Sequence, residues 1–269
     1  MAEYVFPLVL LMATGAFAGV LAGLLGVGGG IVLVPAFLYV FTQAGYGGPD
    51  VMQACLATSL ATIIVTSARS VLAHNRKGAV DWQVLKGWAA GIGIGALAGV
   101  LLVGSLRTHT LQLIFAGLVI VISTYMALSR PHWRLADDMP SGWRRAVMAP
   151  ATGFVSVLLG IGGGSIGVPL MTLHGRPIHR AVATAAGFGV LIAVPSVVAF
   201  LFLPVGNPPP LTVGSVNLPA FLITISMTLL TAPIGANLAH RTDAARLKRY
   251  FAFFLMLVAL NMLRKTLIG

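Results

Sequence analysis

Charged residues are scarce in this sequence. Of its 269 residues only 17 are Lys or Arg and 6 are Asp or Glu, 9% in all, whereas 58% are hydrophobic. A water-soluble domain usually carries about 25% charged residues, so this composition excludes an ordinary cytosolic enzyme, a disordered chain and a nucleic-acid-binding protein. It predicts a protein that lies within a lipid bilayer.

Cysteine is nearly absent as well. The single cysteine, Cys55, lies inside an apolar run, which excludes a disulfide framework and a CxxC metal site. We expect Cys55 to be a small buried apolar residue, and we expect neither a cofactor nor a metal ion.

Carboxylates avoid the apolar runs. All six stand at predicted helix ends or in loops: Glu3, Asp50, Asp81, Asp137, Asp138 and Asp243. Proton and sodium carriers usually keep a carboxylate inside the membrane. We therefore expect passive flux, or coupling through histidine or through the substrate's own protonation. Glu3 also stands where a signal peptide has basic residues, so the first apolar stretch is expected to be retained.

Apolar runs fill most of the chain. They cover residues 5–25, 28–43, 51–73, 83–104, 109–128, 146–159, 165–174, 180–203, 215–238 and 248–263. Seven are long enough, or nearly so, for the roughly 20 residues of a spanning helix, and the three short ones adjoin glycine clusters. The runs predict an all-α polytopic membrane protein.

The two halves of the sequence resemble each other. Residues 26–35 read GVGGGIVLVP and residues 160–169 read GIGGGSIGVP. Farther along the two halves, Thr58 aligns with Thr184 and Gln53 with His179, in the same order. We predict a first transmembrane repeat at 1–128, a cytoplasmic linker at 129–143 and a second repeat at 144–269.

The positions of the cations predict the topology. If the chain turns back at each GxGGG motif, fourteen cations lie on one side and three on the other; single kinked spans would give ten and seven. The positive-inside rule favours the first arrangement. It predicts two inverted repeats of about five segments, an outside N-terminus, and the cytoplasmic loops 74–82, 130–145, 175–180 and 239–249.

A glycine-broken helix inside a membrane predicts a binding site. Free backbone groups are tolerated there only when they are buried in protein or face a watery cavity. The helix starts near Ile31 and Ser165 would present unpaired N–H groups, which attract anions. The predicted backbone donors belong to Gly26, Gly28, Gly29, Gly30, Gly160, Gly162, Gly163 and Gly164. In contrast, tight helix packing is expected of Gly91, Gly93, Gly95 and Gly99.

The repeated glycine motif, the ATS and ATA segments at 57–59 and 183–185, and HNRKGAVDW at 74–82 resemble the sulfite exporter TauE/SafE family, also called the toluene sulfonate uptake permeases. The resemblance covers nearly the whole chain. It implies a bacterial or archaeal inner-membrane permease for sulfite, sulfoacetate or other organosulfonates. It leaves open which anion is moved and in which direction.

Polar side chains near the motifs are expected to complete the substrate site: Gln53, Thr58, Ser59, Ser165, His179 and Thr184. The expected partners are a small anion and the lipid bilayer, without nucleic acid, and a homodimer is expected as in many small permeases. Inverted repeats around a midplane site predict alternating access.

Three other functions stay open at this point. The protein could be a channel or carrier for phosphate or a carboxylate, an accessory scaffold, or a serine hydrolase using Ser165 with His174 or His179. The glycine motif occurs twice and the serine only once. A repeated binding element predicts that pattern, whereas a single nucleophile does not, so a permease is favoured over an enzyme.

Overall fold

The computed structural model describes residues 2–25, 29–129, 133–239 and 244–268. Within these ranges the elements are α1 Ala2–Leu25, α2 Gly30–Gln43, α3 Val51–Asn75, α4 Trp82–Ser105, α5 Thr108–Leu128, α6 Gly142–Leu158, α7 Gly164–Leu173, α8 Ile178–Leu201, β1 Thr212–Val213, β2 Val216–Asn217, α9 Leu218–Ala239 and α10 Ala244–Ile268. The two short strands pair antiparallel. Six helices, namely α3, α4, α5, α8, α9 and α10, are long and apolar enough to cross a membrane. The predicted all-α polytopic membrane fold is confirmed.

Polar caps fix where two of the long helices begin. The side chain of Asp81 accepts a hydrogen bond of 3.2 Å from the backbone N–H of Val84 at the start of α4. Asn217 does the same at the start of α9, where its Oδ1 accepts from the N–H of Ala220 at 3.0 Å. Each cap stands directly before an apolar run, so the polar residue marks the end of the loop and satisfies an otherwise free amide.

The connecting loops gather at two faces of the helix bundle. On the first, which we call the 76–81 face, Arg176 pairs with Asp81 and the amide of Leu135 donates to the carbonyl of Leu173 at 2.7 Å. On the second, the 44–50 face, the amide of Thr108 donates to the carbonyl of Pro49 at 2.6 Å, and Gly206 lies against the Asp50 carboxylate.

The segments beside the glycine motifs form two hairpins that enter from opposite faces. Helix α7 has 10 residues and α2 has 14, lengths of about 15 and 21 Å, which are shorter than the ~30 Å hydrocarbon core. Both α6 and α7 have their outer ends at the 76–81 face. Helix α2 ends at the 44–50 face, and α1 runs beside α9 from that same face. At the second motif, between α6 and α7, the chain thus turns back inside the bundle.

Each hairpin packs most extensively on a long helix of the other half. Helix α1 lies along α9 and α6 lies along α4, while α3 packs on α8 and α5 on α10. Small residues allow these approaches: Gly95 faces the Pro150 carbonyl, and Gly235 faces the Val20 carbonyl. The two halves of the sequence are therefore interlocked rather than set side by side.

The predicted packing role is confirmed for three of the four glycines of α4. A methyl group would lie 2.7 Å from the Ala149 Cβ at Gly91 and 2.9 Å from the Val157 Cβ at Gly99, and at Gly95 it would overlap the backbone of Pro150. Gly93 differs, because no described atom lies within 4 Å of a methyl group there.

The contrast between Gly95 and Gly93 predicts the effects of two substitutions. Gly95→Ala forces α4 away from α6, and overpacking of this kind costs about 1–3 kcal/mol. Gly93→Ala meets open space and should leave the melting temperature in detergent unchanged or slightly raised. Thermal unfolding of both variants measures the difference. Equal melting temperatures would contradict the close α4–α6 contact.

Candidate functional site

The two glycine motifs meet deep in the bundle, where their backbones touch. A methyl group at Gly30 would lie 2.5 Å from the carbonyl oxygen of Gly160. Ser59 of α3 lies between them: its hydroxyl donates to the Gly160 carbonyl at 2.7 Å and lies 3.4 Å from that of Gly30. Ser59 is fully buried. We call Gly29–Gly30, Gly160–Ser165 and Ser59 the glycine junction.

Backbone conformation at the junction requires glycine at two positions. Gly29 has φ 69° and Gly160 has φ 56°, in the left-handed region that side chains disfavour. Gly29 is the residue immediately before α2, and Gly160 closes the turn after α6. The left-handed conformation at Gly160 ends α6, and that at Gly29 directly precedes α2, so neither helix continues through its glycine.

The start of α7 presents unpaired backbone donors. None of the N–H groups of residues 162–166 donates a hydrogen bond to another described residue, and the first such bond runs from Gly167 to the carbonyl of Gly163 at 2.6 Å. Amides at a helix N-terminus carry a partial positive charge. Gly163 packs against the Ala185 carbonyl and Phe188, so this helix start is held against α8.

Two buried serine hydroxyls accompany these amides. Ser165 is 6% exposed and Ser156 is fully buried, and neither Oγ atom has a hydrogen-bond partner in the described part of the chain. A buried hydroxyl without a partner is costly. Ser165 lies at the second position of α7, within the set of unpaired amides, so its hydroxyl and those amides together form a group of unused donors.

Thr58 and Thr184 make matching contacts on either side of the junction. The Thr58 hydroxyl accepts from the backbone N–H of Asn217 at 3.0 Å, and the Thr184 hydroxyl accepts from that of Asp81 at 2.9 Å. Both threonines are fully buried. Each one ties a cap residue to a central helix, so in this arrangement both hydroxyls support the loops that begin α9 and α4.

Gln53 and His179 lie outside the junction. The Gln53 side-chain amide donates to the carbonyl of Leu106 at 2.6 Å and to that of Val103 at 3.3 Å, where it satisfies free carbonyls at the end of α4. His179 is exposed in the first turn of α8. The fold brings neither side chain to the glycine backbones, and their place in a substrate site stays a prediction.

Gly26 and Gly28 lie outside the described residues, whereas Gly29, Gly30, Gly160, Gly162, Gly163 and Gly164 lie within them. The described part of the first motif starts at Gly29, directly before α2. Of the predicted residues, the fold thus brings together the described glycines, Ser59 and Ser165.

Sequence reasoning missed Ser67 and Ser156. Ser67 lies against Gly189 of α8, and its Oγ is 3.6 Å from the position of a methyl group at Gly162. The signal was available, because Ser67 follows Ser59 by eight residues and residues at that spacing share one face of a helix. Ser156 precedes Gly160 by four residues on the helix that leads into the motif.

A protein-family model matches nearly the whole chain. The family model described as "Sulfite exporter TauE/SafE" matches residues 11–262. The chain belongs to the sulfite exporter TauE/SafE family. The predicted resemblance to this family is confirmed.

Relatives of this TauE/SafE protein occur in bacteria and archaea. It is 32% identical to a "Probable membrane transporter protein" of Haemophilus influenzae over 96% of this chain and 98% of the relative. A protein of Methanocaldococcus jannaschii with the same description is 26% identical over 97% of both chains. The Bacillus subtilis protein "Probable membrane transporter protein YunE" is 30% identical over 66% of this chain and 72% of its own. No solved structure matches the chain significantly.

The two threonine contacts of this TauE/SafE protein predict matched effects on stability. Thr58→Val leaves the Asn217 amide without its acceptor, and Thr184→Val does the same to Asp81, so each should cost about 1–3 kcal/mol. Thr58→Ser and Thr184→Ser keep the oxygen and should cost less. Thermal unfolding in detergent compares the four variants. If valine were no worse than serine at both sites, these hydrogen bonds would not support the loops.

Proposed function

We propose that the protein is a permease that binds a small sulfur-containing oxyanion, sulfite or an organosulfonate, at the glycine junction. The observation that carries this proposal is the group of unused donors at the start of α7: the amides of residues 162–166 and the buried Ser165 hydroxyl. An anion of this class has several oxygens that accept hydrogen bonds. Converging neutral donors with little bulk around them suit it.

The neutrality of the junction favours transport over permanent binding. Its described residues are glycines, Ile161 and two serines, without a lysine, arginine or carboxylate among them. A helix N-terminus favours negative charge by a modest amount compared with a buried cation. An anion held in this way can be attracted and then released, as a carrier requires.

Two findings from related proteins support the same function. The family description names sulfite export, and the curated relatives are described as membrane transporter proteins. Neither selects a substrate for this chain. The choice of a sulfur oxyanion rests on the family and on the donor chemistry of α7, and phosphate and carboxylates are the competing ligands to test.

We further propose that the repeats are inverted and work by alternating access. The reciprocal packing of α1 on α9 and of α6 on α4, and the paired Thr58 and Thr184 contacts, support a pseudo-twofold arrangement. Because each hairpin is interlocked with a long helix of the other half, the moving unit is a hairpin with its partner helix. The buried junction opens when such a unit separates from α3 and α8.

Charge supports a cytoplasmic position for the 76–81 face. Described cations at that face include Arg76, Lys77, Arg134, Arg144, Arg145, Arg176 and Arg180, whereas Arg107, Arg264 and Lys265 lie at the other face. The positive-inside rule then puts the 44–50 face and the N-terminus outside the cell membrane.

The hydrolase alternative is disfavoured by the position of the histidines. Ser165 and His174 lie near opposite ends of α7, about 13 Å apart along the helix axis. The Nδ1 of His174 is 2.7 Å from the carbonyl oxygen of Leu170, and His179 is exposed. A serine nucleophile needs a base within hydrogen-bond reach, and neither histidine meets that condition.

Ser165→Ala tests the site through two readouts that move in opposite directions. Removing a buried unpaired hydroxyl should leave the melting temperature of the ligand-free protein unchanged or raise it. The same change removes a donor to the anion and should weaken sulfite binding roughly tenfold. The measurement is the ligand-dependent rise in melting temperature, repeated with sulfoacetate, an aryl sulfonate, phosphate and acetate.

Ser196→Ala is the matched control, because Ser196 is a buried serine of α8 whose hydroxyl donates to the carbonyl of Ile192 at 2.7 Å. It should leave binding unchanged. If Ser165→Ala bound sulfite with wild-type affinity, the start of α7 would not be part of the substrate site. A response to phosphate or acetate but not to any sulfur oxyanion would replace the proposed substrate class.

A further inference from the structure

An ion pair at the 76–81 face joins two loops that lead toward the junction. The Nη2 of Arg176, in the turn between α7 and α8, lies 3.6 Å from the Oδ2 of Asp81, which precedes α4. The two side chains are 33% and 16% exposed. Asp81 is fixed in place by its cap to Val84 and by its amide bond to Thr184.

Arg176 has more hydrogen-bonding capacity than this contact uses. A separation of 3.6 Å is too long for a direct hydrogen bond. The Nε atom of Arg176 is buried and has no acceptor among the residues that the structure describes. A guanidinium has five N–H donors in a planar fork that matches an oxyanion. The Nε–H of Arg176 is therefore a buried donor that can still bind an acceptor.

The charge of Asp81 is not needed for its capping role. Asn217 follows Val216 as Asp81 follows Val80 in the first half, and it caps α9 with a neutral side chain through the same pattern of contacts. The register that pairs Thr58 with Thr184 also pairs Arg176 with Asp50. The 76–81 face thus has Arg176 and Asp81 where the 44–50 face has Asp50 and Asn217. Of these equivalent positions, only the pair at the 76–81 face includes a partly buried cation.

Other cations surround Arg176 without sharing its position. Lys77 and Arg180 are exposed at the same face, where they attract anions from solution but are free to remain hydrated. His174 is buried beside the turn, with Nδ1 against the Leu170 carbonyl. Arg176 alone among them combines partial burial with an unpartnered donor.

We propose that Arg176 is the residue that first captures the oxyanion at the 76–81 face, before the anion moves to the junction. Asp81 holds the guanidinium when no anion is present and competes with the anion for it. The capture site takes a small oxyanion through Nε and one Nη of Arg176. This inference rests on the proposed permease function and adds a second anion site to it.

Three variants separate anion capture from a structural role. Arg176→Gln removes the fork and should raise the KM for sulfite flux in proteoliposomes about tenfold. Asp81→Asn keeps the cap, removes the competitor and should lower KM about threefold, by the modest energy of a partly exposed ion pair. Arg180→Gln, the control, removes one charge from the same face and should change KM less than about twofold.

Arg176→Gln and Asp81→Asn shift KM in opposite directions only if Arg176 binds the anion. A purely structural ion pair is broken equally by both substitutions, so KM shifts of the same sign, or none, would overturn the inference. If Arg176→Gln fails to fold, Arg176→Lys supplies the test: it keeps the charge but loses Nε and the planar fork, and it should still raise KM. A wild-type KM in that variant would also overturn the inference.

The outcomes also separate this inference from the proposed function. Normal sulfite flux with an unchanged KM in Arg176→Gln overturns the capture site and leaves the permease standing. If the protein moves phosphate but not sulfite, and the two variants shift the KM for phosphate in opposite directions, the capture site is upheld and the sulfur-oxyanion assignment is overturned. Wild-type vesicles that move no tested oxyanion overturn both.

Discussion

The structure depends on one constraint, which is that backbone amides inside a bilayer need a partner because water is not available there. The turn at the second GxGGG motif breaks the helix inside the bundle, and its cost is partly offset where the Ser59 hydroxyl donates to the Gly160 carbonyl. The amides that begin α7 are not offset within the described protein. Under the proposed function an anion would satisfy them, and the same break that destabilises the helix would create the binding capacity.

Interlocked packing follows from how the broken segments are supported. Helices α2 and α7 are too short to cross the bilayer, and their hairpins are stabilised by a long helix contributed by the opposite half. Glycines at 95 and 235 permit backbone approach at these contacts. In the proposed transport cycle, the central pair α3 and α8 is the surface against which a hairpin with its partner helix moves.

Much of the fold could be predicted from the sequence, since apolar run length and the cation distribution are direct consequences of bilayer physics. The meeting of Gly30 with Gly160 could be expected only as a consequence of repeat symmetry. The roles of side chains were harder to predict from the sequence. The equivalent positions of Gln53 and His179 in the two halves suggested both residues, but helix geometry directs Gln53 to carbonyls at the end of α4 and leaves His179 exposed. The spacing of Ser67 from Ser59 indicates the same face of α3, but its approach to Gly162 depends on how α3 and α8 pack.

The most direct measurement of the central claim is anomalous diffraction, or an equivalent density map, from crystals grown with selenite, the heavier analogue of sulfite. The account predicts an anomalous peak within hydrogen-bond distance of the amides of residues 162–166 and the Ser165 hydroxyl. A fully occupied peak elsewhere, with those amides paired to protein groups, would contradict it.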